Sequence, residues 1–231
     1  MDGADESSCK EMLGEFSKIQ GLVFDMDGVL FLSTDCHEQA FRETLLEVGI
    51  EDLTYATIAG MRTDEAFRKI FSDREKVLSE DALKNLVAKK RERALGLLME
   101  KGQIAPGSSE LISRLRQKYR LALASSASPQ TVALFLEKSG YADAFEVILD
   151  GSFVQRAKPD PEIYQQALVR LRLTPEQALV IEDAESGVRA AQSAGMSVIA
   201  VLGNNAKETF LQVKPTMVVS SLIDIGPILL S

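Results

Sequence analysis

The sequence has little cysteine and no long apolar run. Its two cysteines, Cys9 and Cys36, stand in no paired spacing of the kind that metal or redox sites use, which predicts reduced thiols and a cytoplasmic location. No apolar stretch approaches the length that crosses a membrane, so no membrane partner is expected. Residues 1–20 are predicted to be an acidic N-terminal tail with a short helix over Lys10 to Lys18. This tail has neither the apolar core of a signal peptide nor the arginine-rich character of a transit peptide.

Positive charge is also scarce. The chain has 26 lysines and arginines against 34 aspartates and glutamates, a formal net charge of -8 and a pI of about 4.9. An acidic chain is a poor binder of polyphosphates, so nucleic acid is not an expected partner. The 231 residues, 45% hydrophobic and 26% charged, suit one large domain, or one core with a smaller inserted module.

The stretch from Gly21 to Leu30 organises the chain. The apolar run Leu22-Val23-Phe24 is typical of a buried parallel strand, and it stops at Asp25. Because strand residues two apart share a face, Asp25 and Asp27 can aim at one point beyond the strand's carboxyl end, and Gly28 permits a sharp turn there. Two such carboxylates repel each other unless a cation lies between them, which favours a divalent metal. The alternative is a strand that ends in an ordinary polar turn.

The remaining pattern divides the chain into an all-helical block and an alternating α/β region. Residues 36–103 show only helical spacing, with helices predicted at 36–48, 54–59, 63–71 and from Ser79 onward. After a linker at 102–107, strands are predicted at 121–124, 145–149, 178–181, 197–201 and 217–219. Helices are predicted at 108–118, 129–139, 161–171, 186–194, 206–213 and 222–230. We therefore expect an α/β fold with a doubly wound, Rossmann-like parallel sheet over 21–34 and 104–231, and a helical insert over 35–103.

Polar residues follow four of the predicted strands. Because parallel strands bring their carboxyl ends to one edge of a sheet, these groups can meet in one crevice. Carboxylates bind magnesium, while lysine and hydroxyl groups bind phosphate oxygens. Each group also has an ordinary interpretation as a helix start or a loop residue, and it is their joint occurrence that favours a site. The groups are Asp25 and Asp27, Ser125 and Ser126, Lys158, and Glu182 and Asp183.

These motifs resemble those of the haloacid dehalogenase superfamily of phosphotransferases. The matching segments are Asp25-Met26-Asp27-Gly28-Val29, Ser125 after Leu121-Ala122-Leu123-Ala124, the segment from Lys158 to Tyr164, and the segment from Ile181 to Gly187. The resemblance covers everything after about Gly21. The insert resembles the α-helical cap of the subgroup that holds phosphoglycolate phosphatases, sugar-phosphate phosphatases and β-phosphoglucomutase.

The resemblance implies a role for each residue at the strand ends. Asp25 would be the nucleophile that forms an aspartyl-phosphate, and Asp27 the general acid and base. Magnesium would be held by Asp25, the main-chain carbonyl of Asp27, and Asp183. Glu182 would bind the metal through a water or orient the site. The transferring phosphoryl oxygens would be held by Ser125 and Lys158, with Ser126 adding a substrate contact.

The resemblance also implies candidate substrate contacts in the cap. His37, the sole histidine, is either a surface or hinge residue or a gate that positions Asp27. The segment Gly60-Met61-Arg62-Thr63 resembles a substrate-contacting loop, with Arg62 and Thr63 as candidates. In β-phosphoglucomutase the cap arginine falls at the position of Thr63. The basic run from Lys89 to Arg93 is either a solvated helix face or the source of a cation for a second anionic group of the substrate.

The combined prediction is a Mg²⁺-dependent phosphatase that acts on a small phosphorylated metabolite, such as a sugar phosphate or a phosphoglycolate-like acid. The presence of Asp27 favours phosphoryl transfer over dehalogenation or phosphonate cleavage, since members with those activities lack it. The alternatives are a β-phosphoglucomutase-like mutase and a non-catalytic binding protein on the same fold. The chain is expected to be a monomer or a homodimer.

Overall fold

The computed structural model of the protein describes residues 16–203 and 210–230. Its core is a six-stranded parallel sheet with the strand order β5-β4-β1-β6-β7-β8. The strands of this sheet are β1 (Gly21–Phe24), β4 (Arg120–Ala124), β5 (Val147–Leu149), β6 (Ala178–Glu182), β7 (Ser197–Val201) and β8 (Met217–Val219). Its helices are α4 (Ser108–Leu115), α5 (Pro129–Ser139), α6 (Glu162–Leu171), α7 (Glu185–Ser193) and α8 (Ile225–Leu229).

Strand β1 lies in the middle of the sheet, between β4 and β6. Its last residue, Phe24, stands level with Leu123 on one side and Ile181 on the other, so the three strands end at the same rim. Leu22 and Phe24 pack on one face with α4 and α5, while Val23 packs on the other with α6 and α7. Helices therefore cover both faces, which confirms the predicted doubly wound α/β fold and explains why β1 is apolar throughout.

The insert contains helices only, with an apolar core of its own. It comprises α1 (Thr34–Leu46), a 3₁₀ turn at Tyr55–Thr57, α2 (Thr63–Ser72) and α3 (Glu80–Lys101). Aromatic rings fill its centre, where the Phe41 and Phe67 centroids lie 5.1 Å apart. The predicted cap of α3 is present, because Ser79 Oγ accepts a hydrogen bond from the backbone N–H of Ala82 at 3.3 Å.

Two short strands connect the insert to the core. β2 (Phe31–Leu32) pairs antiparallel with β3 (Gln103–Ile104), so the chain enters and leaves the insert side by side. Neither strand was among the predicted ones, since two residues are too short to show the alternation by which strands are recognised.

In place of the helix predicted at 54–59, the insert has only the 3₁₀ turn at Tyr55–Thr57. Other differences lie toward the chain ends. Residues 222–230 form a 3₁₀ turn (Leu222–Asp224) followed by the five-residue α8, rather than one helix. The predicted helix over Lys10 to Lys18 falls mostly outside the described residues, as does the first half of the helix predicted over Ala206 to Val213. Among the helices of residues 16–203 and 210–230, none is both long enough and apolar enough to cross a membrane.

Candidate active site

The loop after β1 brings carboxylates to the centre of the sheet rim. The backbone N–H of Asp25 donates to Ile181 O at 2.9 Å, which keeps Asp25 aligned with β6 beyond the last paired residue of β1. Gly28 then turns the chain with a φ of 83°, a conformation that side chains disfavour. A Cβ at this position would lie 1.8 Å from Asp183 Oδ2, so only glycine lets the two segments approach this closely.

Three acidic side chains meet at this rim. Asp25, Glu182 and Asp183 each offer an oxygen within 4.8 Å of the others. Burial and the neighbouring carboxylates raise the pKa of Asp25 to about 8, although the charge of Lys158 opposes the shift. Burial, with the charges of Glu182 and Asp25, likewise raises the pKa of Asp183 well above its ordinary value. Carboxylates that repel each other in a buried cluster fit a divalent cation, which would remove the repulsion.

Lys158 supplies a positive charge inside this cluster. Its side chain is fully buried, and Nζ contacts Asp25 Oδ1, Glu182 Oε1 (2.7 Å) and the carbonyl of Ala124 (3.1 Å). Burial alone would lower the pKa of Lys158, but the charges of Asp25 and Glu182 outweigh it and raise the pKa well above the ordinary value. Lys158 is therefore a permanent cation against one oxygen of Asp25.

Glu182 holds Lys158 in position. Glu182 Oε1 also accepts a hydrogen bond from the Tyr164 hydroxyl at 2.9 Å, and Oε2 accepts from the backbone N–H groups of Asp183 and Ala184 at 2.9 and 3.0 Å. Both oxygens therefore have protein donors, which favours orientation of Lys158 over direct binding of a metal. Tyr164 was not among the predicted site residues, although its place six positions after Lys158, on the inner face of α6, is a usable signal.

Asp27 is held by groups from both the core and the insert. Its Oδ1 accepts a hydrogen bond from Ser33 Oγ at 2.5 Å and lies 3.2 Å from His37 Nε2, while Oδ2 lies 3.5 Å from Ser125 Oγ. Burial would raise the pKa of Asp27, but the nearby His37 and Lys90 and the hydrogen bonds from His37 and Ser33 lower it below the ordinary value. Ser33 was also missed from the sequence, where it looked like a hinge residue.

A lysine of the insert stands behind His37. Lys90, on α3, is 4% exposed, and its Nζ lies 2.9 Å from His37 Nδ1 and 4.4 Å from the centre of the Phe41 ring. Burial lowers the pKa of His37, and burial also lowers that of Lys90, from 10.5 to about 7. A hydrogen bond thus joins the two nitrogens, and the charge of Lys90 and the contact with His37 both act on Asp27. The interpretation of the basic run as a solvated face is therefore wrong for Lys90, and His37 is buried rather than on the surface.

A small cavity of about 60 Å³ lies between the rim and the insert. Asp25 and Asp27 form its floor, and Ser126 lines the side that belongs to the core. The side that belongs to the insert is lined by the loop residues Gly60, Met61 and Thr63. Ser125 lies just beneath, fully buried, and its Oγ accepts a hydrogen bond from the backbone N–H of Ala127 at 3.0 Å.

Arg62 takes a different position from the one predicted. Its guanidinium faces away from this cavity and pairs with Asp64, with Nε 2.6 Å from Oδ1. Nη1 donates to the carbonyls of Val154 and Gln155, both at 3.1 Å. Arg62 thus joins the insert to the loop that leads to Lys158.

The family follows from the sequence as a whole. The model of the Haloacid dehalogenase-like hydrolase family matches residues 22–201. The chain belongs to this family. The "Phosphorylated carbohydrates phosphatase" of Thermotoga maritima is 34% identical over 186 residues, which is 78% of this chain and 84% of that protein.

Two solved structures resemble the chain over nearly its whole length. β-Phosphoglucomutase from Clostridium difficile superimposes with a TM-score of 0.79 at 26% identity, covering 90% of this chain and 93% of that one. CbbY from Rhodobacter sphaeroides, in complex with phosphate, superimposes with a TM-score of 0.76 at 27% identity, covering 90% of this chain and 96% of that one. The chain is thus similar both to phosphatases and to a phosphosugar mutase.

Proposed function

We propose that this chain is a magnesium-dependent phosphatase that hydrolyses a small phosphorylated metabolite, a sugar phosphate or a phosphoglycolate-like acid, through an aspartyl-phosphate on Asp25. The observation that carries the proposal is the position of Asp25, at the floor of a cavity, against Lys158 and within reach of Asp183. The similarity to the Thermotoga maritima phosphatase and to CbbY with bound phosphate supports the choice of substrate class.

In the first step, a carboxylate oxygen of Asp25 attacks phosphorus and the ester oxygen leaves. Asp27 gives this oxygen its proton, so that a neutral alcohol departs. Lys158 orients the Asp25 carboxylate through one oxygen and offsets the negative charge of the phosphoryl group, and Ser125 and Ser126 supply further donors. A magnesium ion held by Asp25, the main-chain carbonyl of Asp27, and Asp183 would neutralise the charge of the phosphoryl group when bound.

In the second step, water attacks the phosphorus of the aspartyl-phosphate. Asp27, which lost its proton in the first step, takes one from this water, so phosphate leaves and both aspartates return to their starting states. The lowered pKa of Asp27 favours the carboxylate form that this step needs, whereas the first step uses its minor protonated form. The contacts with His37 and Ser33 maintain the carboxylate.

We further propose that residues 35–103 act as a cap that opens to admit the substrate. A cavity of about 60 Å³ is smaller than the several hundred Å³ of a typical ligand pocket, so the substrate needs a wider entrance. Thr63 and His37 would then meet the substrate from the cap side. The cytoplasmic location and the monomeric or homodimeric state stay predictions.

A panel of phosphate esters assayed with magnesium tests the proposal, and Asp25→Asn is the decisive variant. We expect the wild-type protein to release phosphate and Asp25→Asn to lose turnover while keeping its unfolding temperature. Asp143→Asn, at an exposed aspartate outside the site, is the matched control and should keep full activity. Turnover near the normal rate in Asp25→Asn would exclude Asp25 as the nucleophile. A wild-type protein that releases no phosphate from any ester would favour a non-catalytic binding role.

The similarity to β-phosphoglucomutase supports a second candidate, a phosphosugar mutase. β-Glucose 1-phosphate separates the two activities. Formation of glucose 6-phosphate would identify a mutase, while release of free phosphate would identify the hydrolase. We expect free phosphate, since the position of the mutase's cap arginine is occupied here by Thr63.

A further inference from the structure

The basic residues on α3 differ in what they contact. Lys89 Nζ pairs with Glu47 Oε2 at 2.6 Å. Arg93 pairs with the same carboxylate and donates to Thr44 Oγ1 at 2.8 Å. Lys90 is buried against His37. Arg91 is exposed, and within residues 16–203 and 210–230 no carboxylate forms an ion pair with it. It is therefore the one cation of this run whose charge is not already committed.

Arg91 also stands where a substrate would pass. It lines the cavity above Asp25, and it lines the outer groove that runs along α2 and α3 beside Gly151 and Val154. The side chain thus lies at the mouth of the cavity, while Asp25 lies at the floor. A ligand whose phosphoryl group reaches Asp25 therefore extends its other end toward Arg91.

The rest of the cavity leaves this part of the ligand few other charged partners. The insert side of the wall is largely apolar, with Phe41, Ile58, Met61 and Ala94. Lys90 also lines the wall, but its ammonium group is held 2.9 Å from His37, and an anion that drew it away would remove positive charge from beside Asp27. An unpaired guanidinium at the mouth of the cavity favours an anionic ligand group, for which its planar set of donors is suited.

We infer that Arg91 binds a second anionic group of the substrate, a carboxylate or a second phosphate, while the first phosphate reacts at Asp25. This inference rests on the proposed function and narrows its substrate class to small metabolites that carry two anionic groups. Arg91 is then a specificity-determining residue that binds the part of the substrate which does not react.

Matched substrates with and without the second anion test the inference. Phosphoglycolate is compared with 2-hydroxyethyl phosphate for the carboxylate, and fructose 1,6-bisphosphate with fructose 6-phosphate for the second phosphate. In Arg91→Gln we expect kcat/KM for the substrates with two anionic groups to fall on the order of 10- to 100-fold, chiefly through KM. Their partners with one anionic group should change little. The pair with the larger loss identifies the anion.

Two variants control for general effects of the substitution. Lys89→Gln removes an exposed cation from the same helix, and it should change kcat/KM equally for both substrates of each pair. Arg91→Lys keeps the charge and should recover part of the loss. An equal loss for both members of a pair, or no loss in either pair, would overturn the inference.

Equilibrium binding separates this inference from the proposed function. The Asp25→Asn protein and the Asp25→Asn, Arg91→Gln double variant are titrated by calorimetry with each substrate in the presence of magnesium. A weaker affinity of the double variant for the compounds with two anionic groups alone supports the role of Arg91, even if the wild-type protein were inactive. Equal affinities of the two proteins for every compound would reject that role, even if the wild-type protein were an active phosphatase.

Discussion

The carboxylate of Glu65 accepts a hydrogen bond from the backbone N–H of Ala157, the residue immediately before Lys158, with an N to Oε1 distance of 3.0 Å. Glu65 belongs to α2 of the insert, whereas Lys158 reaches Asp25 in the core. Arg62 strengthens the same connection, because its guanidinium pairs with Glu65 at 3.3 Å and bonds the carbonyls of Val154 and Gln155. The insert therefore holds the loop that brings Lys158 to Asp25.

Removing the Glu65 acceptor should lower turnover without unfolding the protein. In Glu65→Ala we expect kcat to fall about 3- to 10-fold, since one hydrogen bond to the Lys158 loop is lost. Glu65→Gln keeps an oxygen that can accept from Ala157 and should retain most of the activity. Arg68→Gln, on the exposed side of the same helix, is the control. Equal activity of Glu65→Ala and the wild-type protein would show that the loop needs no help from the insert.

Lys90 should destabilise the folded protein at neutral pH. Since its pKa is about 7 in the folded protein and 10.5 when unfolded, the unfolded chain binds more protons between these values. The free energy of unfolding therefore rises as the pH rises from about 7 to 10.5. Below pH 7 Lys90 is charged in both states, and the whole destabilisation from burying its charge is present. Lys90→Met should raise the free energy of unfolding at pH 7 by up to about 4 kcal/mol while lowering activity.

Urea unfolding at a series of pH values measures this effect. The stability difference between Lys90→Met and the wild-type protein should shrink steadily from pH 7 to pH 10. Lys84→Met, on the exposed face of the same helix, is the control for replacing a lysine of α3 by methionine. A Lys90→Met difference that is constant over this range would mean that the folded protein does not depress the pKa of Lys90.

Gly28 should be required for the metal site rather than for the fold alone. In Gly28→Ala the new Cβ would collide with the Asp183 carboxylate, so we expect activity to fall at least about 100-fold and magnesium affinity to weaken. Gly49→Ala is the matched control, because Gly49 also has a positive φ, 70°, but nothing lies within 4 Å of its Cβ position. It should cost about 1 kcal/mol of stability and leave activity unchanged. Similar activities of the two variants would contradict the proposed collision.

Tyr164 should affect catalysis through Glu182. Tyr164→Phe removes one buried hydrogen bond to the carboxylate that holds Lys158, and we expect about 1 kcal/mol of lost stability together with a severalfold lower kcat. Tyr119→Phe removes a comparable buried bond, from the hydroxyl to Leu229 O at 2.8 Å, far from the site. The two variants should therefore lose similar stability, and only Tyr164→Phe should lose activity. Loss of activity in both would point to a general effect of stability.

The sequence was most informative where chain order alone determines position. Asp25 and Asp183 follow strands whose apolar runs are unmistakable, and parallel strands can only end at one rim, so their proximity was predictable. Gly28 was predictable because the chain has to turn sharply after the strand that ends at Asp25.

Side chains that depend on packing of the insert were harder to predict. Lys90 sits among other basic residues with no local sign that it is buried, and only the closure of α3 over α1 brings it to His37. Arg62 looked like a substrate contact because of the loop it occupies, yet its position is determined by carbonyl groups about 90 residues further along the chain. Such contacts have no periodic signature in the sequence.

The paired strands β2 and β3 fix the two points at which the chain passes between the core and the insert. Phe31 pairs with Ile104 and Leu32 with Gln103, so the two crossings of the chain are tied together beneath the helices. A longer loop between α1 and α2, or a different helix length, would leave the separation of these crossings unaltered. Selection can therefore remodel which metabolite is admitted, provided that a new helical segment keeps this short ribbon and the contacts of the insert with Asp27 and with the loop before Lys158.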